Sequence, residues 1–351
     1  MSALRAATVS SHSVTTLSGM ADIQSKLAPL LEGRASRSLD FFLASLVERV
    51  WIPRIVVVHQ GQRLRGAVFL KERKIGGVGS GVLFGDATLG TMLLAAPEER
   101  ERVLEAALSH LMDGLRVRGI RLAAPPTGYE PECIRRVCAS RSFLVKSVGT
   151  VNHVGLTLPD RYEHFLDSLG SRTRRNFRYY RRRAESCGHE YVGQMSWPEF
   201  RHAAGGLLKK SVVGAKPEGV DRAFRMFAAA ERPVLSGLRD RRGEWLAILG
   251  GWQEPGHVML FMQMNDDRER RADSLSTVLR AYWIESLISK GVGKLLFWAG
   301  VSAPLARYCD PVPTERFYLD SRSFAWKAAR SLAQWIAPVL PQPALSLADW
   351  F

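Results

Sequence analysis

The hydrophobic and polar positions of the chain follow the same order in two separate segments, one starting at Thr91 and the other at Val258. Each pattern predicts an apolar strand, a charged loop, an amphipathic helix, a glycine and a second apolar strand. A crossover of this length joins strands that run parallel in one sheet. The sequence therefore predicts two strand–helix–strand units, one in each half of the chain.

The two predicted helices carry apolar residues three and four positions apart, which places these residues on one face of each helix. They are Leu104, Ala107, Leu108, Leu111, Met112 and Leu115 in the first helix, and Leu279, Tyr282, Trp283, Leu287 and Ile288 in the second. Gly119 and Gly291 follow the helices at the positions expected for C-cap glycines. The second strands, residues 120–124 and 295–299, are mostly apolar, which is typical of strands covered on both faces.

A strand hairpin is predicted ahead of each unit. Residues 54–60 and 63–71 flank Gly61, and residues 244–252 and 257–264 flank a Gln-Glu-Pro-Gly turn. Each half is therefore expected to be a mixed central sheet flanked by helices, so that the fold class is α/β (α+β). The expected domains are a flexible N-terminus of residues 1–22, a first domain of residues 23–155, a second domain of residues 156–320, and a C-terminal amphipathic helix and tail of residues 321–351.

The most distinctive local feature is a run of seven arginines between Arg172 and Arg183, with no acidic residue among them. The spacing predicts a helix that buries one stripe, formed by Thr173, Phe177, Tyr180 and Ala184. Ser171 is the predicted N-cap of this helix, and Gly188 is the predicted end.

Three explanations of the arginine run stay open. Seven like charges repel each other unless an anion or carboxylates neutralise them, which favours a functional anion site. A solvated basic face is the second explanation, although charged surface helices usually mix both signs. Phosphate contacts together with stacking on Phe177, Tyr179 and Tyr180 would indicate nucleic acid. No helix-turn-helix, zinc-finger or RNP signature accompanies the run.

Composition narrows the range of partners and compartments. The 351 residues include 49 Lys and Arg against 34 Asp and Glu, and the net charge of +15 favours nucleic acid, anionic lipid or a phosphate-bearing cofactor. With 46% hydrophobic and 24% charged residues, a mainly disordered or coiled-coil chain is excluded. The four cysteines form no Cys-X-X-Cys pair, so neither a disulfide framework nor a zinc site is expected, and a reducing cytoplasm fits best.

No membrane span, common catalytic motif or metal motif stands out. The apolar runs are shorter than a membrane span, and the amphipathic stretch 324–340 is expected to pack on the domain, with peripheral membrane contact as the alternative. No nucleophile elbow, HExxH motif or Walker A motif is present. The glycine-rich segment 76–81 is interpreted as a loop or bulge because no helix pattern follows it. The eight histidines show no ligand spacing, so no metal is expected.

The repeat and the arginine run together resemble tandem-GNAT acyltransferases of the FemAB-like and cellulose-biosynthesis-type branch. The matching residues are Leu169-Gly-Ser-Arg-Thr-Arg-Arg-Asn-Phe-Arg-Tyr-Tyr-Arg-Arg-Arg and Gly291-Val-Gly-Lys-Leu-Leu-Phe-Trp-Ala-Gly300. The resemblance covers most of residues 23–320 and implies two tandem GNAT-like domains. It also implies that an acyl-CoA, most simply acetyl-CoA, lies as co-substrate between two splayed strands at residues 257–264 and 295–299.

The resemblance assigns roles to particular residues. The pyrophosphate of the co-substrate would meet the helix start after the first strand, because free N–H groups there attract phosphate. The implied cofactor-binding residues are Met264, Arg271, Ser274, Ser276 and Thr277. Tyr308 would protonate the leaving thiolate, whereas Cys138 holds the corresponding place in the first half, which would make that domain degenerate. The arginine helix would bind the acceptor through Arg172, Arg174, Arg175, Asn176 and Arg178.

Two classes of function follow from these features. The first is an acyltransferase acting on an amine or hydroxyl of a small-molecule, sugar or cell-envelope acceptor. A variant of it takes the acyl group from aminoacyl-tRNA, as FemAB-like proteins do. The second is a non-catalytic protein that holds nucleic acid or another polyanion on the arginine helix. For the first class the general base stays open between Asp266, Asp267 and Glu244.

Overall fold

The computed structural model describes residues 12–88, 90–125, 129–141, 145–211, 217–267, 273–298, 301 and 303–320. Within these ranges the chain divides into two compact units. The first comprises residues 12–42, 48–150 and 314–320, and the second comprises residues 43–47 and 151–313. The predicted C-terminal helix and tail, residues 321–351, lies outside the described residues.

The first half of the chain contains seven strands and four α-helices within the described ranges. In chain order they are β1 (His12–Ser18), α1 (Met20–Lys26), α2 (Gly33–Ala44), β2 (Trp51–Gln60), β3 (Arg63–Ile75), β4 (Val78–Asp86), β5 (Leu93–Ala95), α3 (Arg100–Ser109), β6 (Gly119–Ala124), α4 (Glu130–Ser140) and β7 (Val145–Thr157). Strand β1 begins inside residues 1–22, where the sequence predicts a flexible N-terminus. Its residues pair with β2 from His12 to Ser18, and this pairing orders them.

The second half contains further helices around a second set of strands. In chain order they are α5 (Tyr162–Ser168), α6 (Ser171–Ser186), β8 (Glu190–Val192), α7 (Trp197–Leu207), α8 (Pro217–Ala229), β9 (Pro233–Arg239), β10 (Trp245–Glu254), β11 (His257–Asn265), α9 (Leu275–Ser289), β12 (Lys294–Phe297), α10 (Ala303–Ala306) and β13 (Asp310–Asp320). No helix in the described ranges is long and apolar enough to cross a membrane.

In the first unit the strand order is β1-β2-β3-β4-β6-β13, and β5 pairs with β3 at the side. The hairpin predicted around Gly61 is confirmed, since β2 and β3 pair antiparallel from Gln60 and Arg63 onwards. The partner of β6 differs from the prediction. The strand parallel to β6 is β4, not the segment after Thr91, which forms the short antiparallel strand β5.

In the second unit the strand order is β7-β12-β11-β10-β9-β8. The predicted hairpin of β10 and β11 is confirmed. So is the parallel pairing of β11 and β12 across helix α9. Helices α5, α6 and α9 cover a core that includes Phe165, Phe177, Trp283 and Phe297, each no more than 2% exposed.

The ends of the helices test the predicted glycine caps. Helix α9 ends in a Schellman motif, because the Gly291 N–H binds the Ile288 carbonyl and the Val292 N–H binds the Leu287 carbonyl. Gly188 ends α6 in the same way, also at positive φ. The prediction for Gly119 is wrong, since Gly119 is the first residue of strand β6.

The helix start predicted for the arginine run is shifted by one residue. The N-cap of α6 is Gly170 rather than Ser171, and Ser171 is the first residue of the helix. The predicted buried stripe is present, with Phe177 and Ala184 buried and Thr173 and Tyr180 partly buried.

Candidate active site

Strands β11 and β12 form a fork in the second unit. They pair in parallel over three residues only, 258–260 with 295–297. One further hydrogen bond, from the Trp298 N–H to the Leu260 carbonyl oxygen at 3.0 Å, closes the vertex. Beyond it β11 continues to Asn265, whereas β12 ends at Phe297. Within the described residues β11 thus runs on past the last residue of β12, and the resemblance implies that the two strands separate here; Ala299 lies outside the described residues.

A β-bulge on β11 lies at the vertex of this fork. Gly251 of β10 pairs with Leu260, and Gly250 pairs with Met262, so Phe261 has no partner on β10. Phe261 is also past the three residues that pair with β12. The extra residue of a bulge is left out of the hydrogen-bond ladder. The backbone of Phe261 is therefore available to a ligand that enters the fork.

Polar groups from α9 and β11 occupy the space where the strands separate. The Arg280 Nε donates to the Gln263 Oε1 at 2.8 Å, and the Gln263 Nε2 donates to the Asn265 Oδ1 at 3.1 Å. The Arg280 guanidinium also lies 5.8 Å from the ring centroid of Phe297 on β12. Burial lowers the pKa of Arg280 to about 10, so the side chain stays cationic at neutral pH. The fork thus contains a largely buried positive charge.

The start of α9 has backbone N–H groups without a capping side chain. Its N-cap, Ser274, has left-handed backbone angles and makes no side-chain capping bond. The Thr277 and Val278 N–H groups both donate to the Ser274 carbonyl oxygen. Ser276 and Thr277 are half-buried. The first N–H groups of a helix that lack a capping side chain are suited to bind phosphate.

The other residues expected near the co-substrate lie in different surroundings. Met264 is 1% exposed, so its side chain is not open to a ligand. Arg271 lies outside the described residues. Asp266, one of the three candidate bases, is 2% exposed and forms an ion pair with Lys210 at 3.2 Å. Its carboxylate is therefore already engaged with another side chain. Glu244 is exposed beside the turn between β9 and β10.

Tyr308 contacts the N-terminus of the arginine helix. It lies in the turn just after α10, and its Oη accepts a hydrogen bond from the Gly170 N–H at 2.7 Å. A hydrogen bond with the Thr173 side chain, the Gly170 N–H and the nearby Arg307 together lower the pKa of the Tyr308 hydroxyl. A Cβ atom on Gly170 would lie 2.8 Å from the Tyr308 Oη, so glycine permits the close approach. The helix N-terminus therefore favours the ionised form of this tyrosine.

The exposed face of α6 forms an open basic groove of about 400 Å³. Its described lining residues are Ser171, Arg174, Arg175, Arg178, Tyr179 and Arg182. This face lies opposite the buried stripe and begins at the end of the helix that contacts Tyr308. Arg174, Arg175 and Arg178 thus lie together as predicted for one site, whereas Arg172 and Asn176 are not among the described lining residues.

Carboxylates neutralise part of the charge of α6. The pairs, at 2.7–3.1 Å, are Arg174 with Asp167, Arg178 with Glu163, Arg181 with Glu285, and Arg183 with Asp273. Exposed ion pairs contribute at most about 1 kcal/mol each, so an incoming anion can compete for these arginines. Arg175 and Arg182 are exposed and form no ion pair within the described part of the chain. The groove consequently keeps a net positive charge.

Neither the bulge nor Arg280 is among the features that the sequence predicts. A signal for the bulge was present, because Gly250 and Gly251 interrupt the strand pattern, and glycines inside a strand indicate a bulge or a close backbone approach. A Cβ atom at Gly251 would overlap the Met259 carbonyl oxygen. Arg280 gave no such signal, since an arginine on an amphipathic helix is ordinarily exposed. Within the described residues no group of three or more His, Cys, Asp or Glu side chains could hold a metal ion.

No protein-family model matches the chain, and no curated protein matches it. Solved structures do. FemX superposes with a TM-score of 0.58 at 8% identity, over 82% of this chain and 92% of FemX. L-PGS from Bacillus licheniformis gives a TM-score of 0.48 at 10% identity, over 76% of this chain and 84% of the other. A tandem GNAT protein from the clavulanic acid biosynthesis pathway gives 0.43 at 15% identity, over 87% and 98%.

The likeness to FemX concerns the fold, since so few residues are identical. The chain shares the fold of FemX, in which helices flank mixed strands, and the predicted α/β fold class is confirmed.

Proposed function

We propose that this protein is an acyltransferase that moves an acyl group, in the simplest case acetyl, from acyl-CoA to an amine or hydroxyl of a small-molecule, sugar or cell-envelope acceptor. The fork of β11 and β12, with the bulge at Phe261, is the observation that carries the proposal. Buried backbone groups require hydrogen-bond partners, and an extended ligand between the separated strands would supply them. The FemX-like fold supports an acyl-transfer reaction at this position.

The chain offers groups suited to each part of such a reaction. A bound thioester supplies an acyl carbon that a nucleophile can attack. The Phe261 N–H, outside the ladder, is a donor for negative charge on the acyl oxygen. Arg280 adds positive charge in the same fork. The Tyr308 hydroxyl, with its lowered pKa, holds the proton that a leaving thiolate needs.

The start of α9 fits the phosphates of a coenzyme A. Ser274 leaves the first N–H groups of the helix without a capping side chain. Ser276 and Thr277 add hydroxyl donors in the same turn. Hydroxyls and free amides at a helix N-terminus bind phosphate through hydrogen bonds and the helix dipole.

The basic groove of α6 is the proposed acceptor site. The planar guanidinium group of arginine can donate two parallel hydrogen bonds to a phosphate or carboxylate group. Arg174, Arg175 and Arg178 lie on one face of the helix, whose N-terminus also contacts Tyr308. An acceptor with an anionic group would therefore be held close to the tyrosine.

Replacing Ser276 with Glu tests the co-substrate site. A carboxylate at a helix N-terminus ordinarily stabilises the helix by about 0.3–1 kcal/mol. The same carboxylate would repel the phosphates of coenzyme A. We therefore expect Ser276→Glu to weaken acetyl-CoA binding at least tenfold by calorimetry while the melting temperature stays the same or rises.

Ser289→Glu is the matched control, because it adds the same charge at the opposite end of α9 on an exposed residue. It should leave the acetyl-CoA affinity unchanged. Equal affinity of both variants and the unaltered chain would contradict the proposed site.

A second candidate function is transfer from aminoacyl-tRNA. The exposed basic face of α6 favours it, because a row of arginines can follow the backbone of a nucleic acid. The resemblance of the arginine run to FemAB-like proteins implies the same donor.

Replacing Arg174, Arg175 and Arg178 together with Gln separates the two donors. If tRNA binds in the groove, its affinity falls and the salt dependence of binding decreases by about three counterions. If the groove binds a small anionic acceptor, both the unaltered protein and the triple variant bind tRNA weakly, and the variant differs only in its lower turnover. The control replaces the exposed Arg161, Arg201 and Arg242 with Gln, which removes the same charge outside the groove.

A further inference from the structure

His153 on β7 is a buried histidine beside the vertex of the fork. Its neighbour Val154 pairs with Phe297, the last residue of β12. The imidazole is 6% exposed, and its Nδ1 lies 3.0 Å from the Trp298 carbonyl oxygen. A carbonyl oxygen only accepts hydrogen bonds, so the hydrogen is on Nδ1. In the neutral ring, Nε2 therefore has a free lone pair.

That lone pair has no partner among the residues that the structure describes. The His153 Nε2 is buried and makes no hydrogen bond with any of them. Leaving a buried polar atom unpaired costs about 1–3 kcal/mol, so the atom calls for an explanation. The ring is held in this orientation by the Trp298 indole, against which it stacks with 4.2 Å between ring centroids.

The position of His153 connects this lone pair to the fork. The backbone N–H of Trp298 closes the fork on Leu260. The Trp298 ring lies 5.8 Å from the ring of Phe261, which is the bulged residue. His153, Trp298 and Phe261 thus form a continuous aromatic row that ends at the proposed acyl site.

We propose that the His153 Nε2 is the general base of the reaction, an inference that rests on the acyltransferase function proposed above. The acceptor nitrogen or oxygen forms a bond to the acyl carbon and gives its proton to Nε2. The carbon–sulfur bond breaks, and the sulfur takes the proton of Tyr308. Tyr308 and His153 then return to their starting forms by proton exchange with water, so that the products are the acylated acceptor and free coenzyme A.

The substitution His153→Asn isolates the role of Nε2. The asparagine amide can still donate to the Trp298 carbonyl in place of Nδ1, but it has no atom corresponding to Nε2. His153→Gln is the complementary change, because its longer side chain places an amide near the Nε2 position. A purely structural histidine would lose stability in both variants, whereas a base would lose transfer in both with the melting temperature of His153→Asn preserved.

The first measurement does not depend on turnover. The full chain is labelled with ¹⁵N-histidine, and the His153 signals are assigned among the eight histidines by their loss in His153→Asn. We expect the Nδ1–H tautomer, with the lone pair on Nε2. An Nε2–H tautomer would overturn the proposal whatever the activity.

The second measurement uses acetyl-CoA with glucosamine or with hydroxylamine as the acceptor. The conjugate acid of hydroxylamine is more acidic than the ammonium of glucosamine, so hydroxylamine loses its proton to water more readily and depends less on a protein base. We expect His153→Asn to reduce transfer to glucosamine about 100-fold or more and transfer to hydroxylamine less than threefold. Equal losses with both acceptors would overturn the base assignment. Absence of transfer by the unaltered chain to either acceptor would overturn the acyltransferase function and the base assignment with it, whereas transfer to glucosamine that His153→Asn leaves intact would overturn the base assignment alone.

Discussion

Two parallel strand pairs, one in each unit, differ in how far they stay together. In the first unit β4 and β6 pair over five residues, 82–86 with 119–123, and the Ala87 N–H still donates to the Ala123 carbonyl at 2.8 Å. In the second unit β11 and β12 pair over three residues and then separate. Both pairs are joined through an amphipathic helix. The fork is therefore a consequence of the bulge at Phe261 and the early end of β12, not of the crossover itself.

The two units also differ in how readily the side chain proposed as proton donor releases its proton. Cys138, which the resemblance implies is the counterpart of Tyr308, is buried in α4, and burial raises the pKa of its thiol to about 11. Tyr308 is half-buried, and the pKa of its hydroxyl is lowered. A thiol with a raised pKa, beside a closed strand pair, is a weaker proton donor for a leaving group than Tyr308. We therefore expect only the second unit to carry out chemistry.

The largest expected effect is the loss of the bulge. Gly251→Ala places a Cβ atom over the Met259 backbone oxygen, which cannot move without breaking the hairpin. We expect a loss of at least about 3 kcal/mol in the free energy of unfolding, measured by denaturant titration.

Gly85→Ala in the first unit is the comparison. Its Cβ atom would meet the side-chain ends of Met92, Leu122 and Leu70 at 2.7–2.9 Å, and these can rotate away. A loss of about 1 kcal/mol is expected there. Equal losses at the two glycines would show that backbone overlap does not distinguish the units.

The second prediction concerns the proton donor. Tyr308→Phe should reduce acetyl transfer about 100-fold, since a positioned general acid contributes at least this much. Cys138→Ala in the first unit should leave transfer unchanged apart from a small loss of stability. A matching loss of transfer in the two variants would contradict the assignment of chemistry to the second unit.

Titration of Tyr308 checks the physical basis of this role. Because its pKa is lowered, the hydroxyl loses its proton at a lower pH than an ordinary tyrosine. Burial raises the pKa of Tyr162 and Tyr282 to about 12, so ultraviolet absorbance separates these residues from Tyr308. Thr173→Val removes the largest cause of the lowering. It should move the Tyr308 transition to higher pH.

The smallest expected effects concern the ends of α9 and α3, the helices that lie between the two parallel strands in each unit. Gly291 has φ +73° in the Schellman turn of α9, so Gly291→Ala should cost about 1 kcal/mol. Helix α3 instead continues into a π turn, His110–Gly114, after which the exposed Arg116 has φ 51°. Arg116→Gly should therefore stabilise the first unit, by up to about 1 kcal/mol. Thermal unfolding of the two variants would reveal the opposite signs.

Local pattern was sufficient to predict much of the fold. The hairpins around Gly61 and before His257, the helix α9 and its end at Gly291 follow from side-chain periodicity and turn residues. These signals are local, so a sequence carries them directly. The parallel partner of β6 was misassigned because its true partner β4 begins in the glycine-rich segment 76–81. Glycine weakens the periodic signal of a strand.

The candidate site was less predictable because it depends on contacts between distant segments. The arginines of α6 were found from composition, but their carboxylate partners could not be, since Asp273 and Glu285 come from another helix. His153 lies 145 residues from Trp298 in the chain, and nothing near it in the sequence indicates their hydrogen bond. Tertiary hydrogen bonds of this kind have no local signature.

The ion pairs of α6 also have a consequence for biosynthesis. Asp167 and Glu163 precede the arginines in the chain, but Asp273 follows Arg183 by 90 residues. At ribosomal rates of about 5–20 residues per second, roughly 5–20 seconds pass before this carboxylate is made. During that interval the nascent helix lacks both carboxylates from around α9. The ion pairs of α6 with these two carboxylates therefore wait until the chain has been made as far as α9.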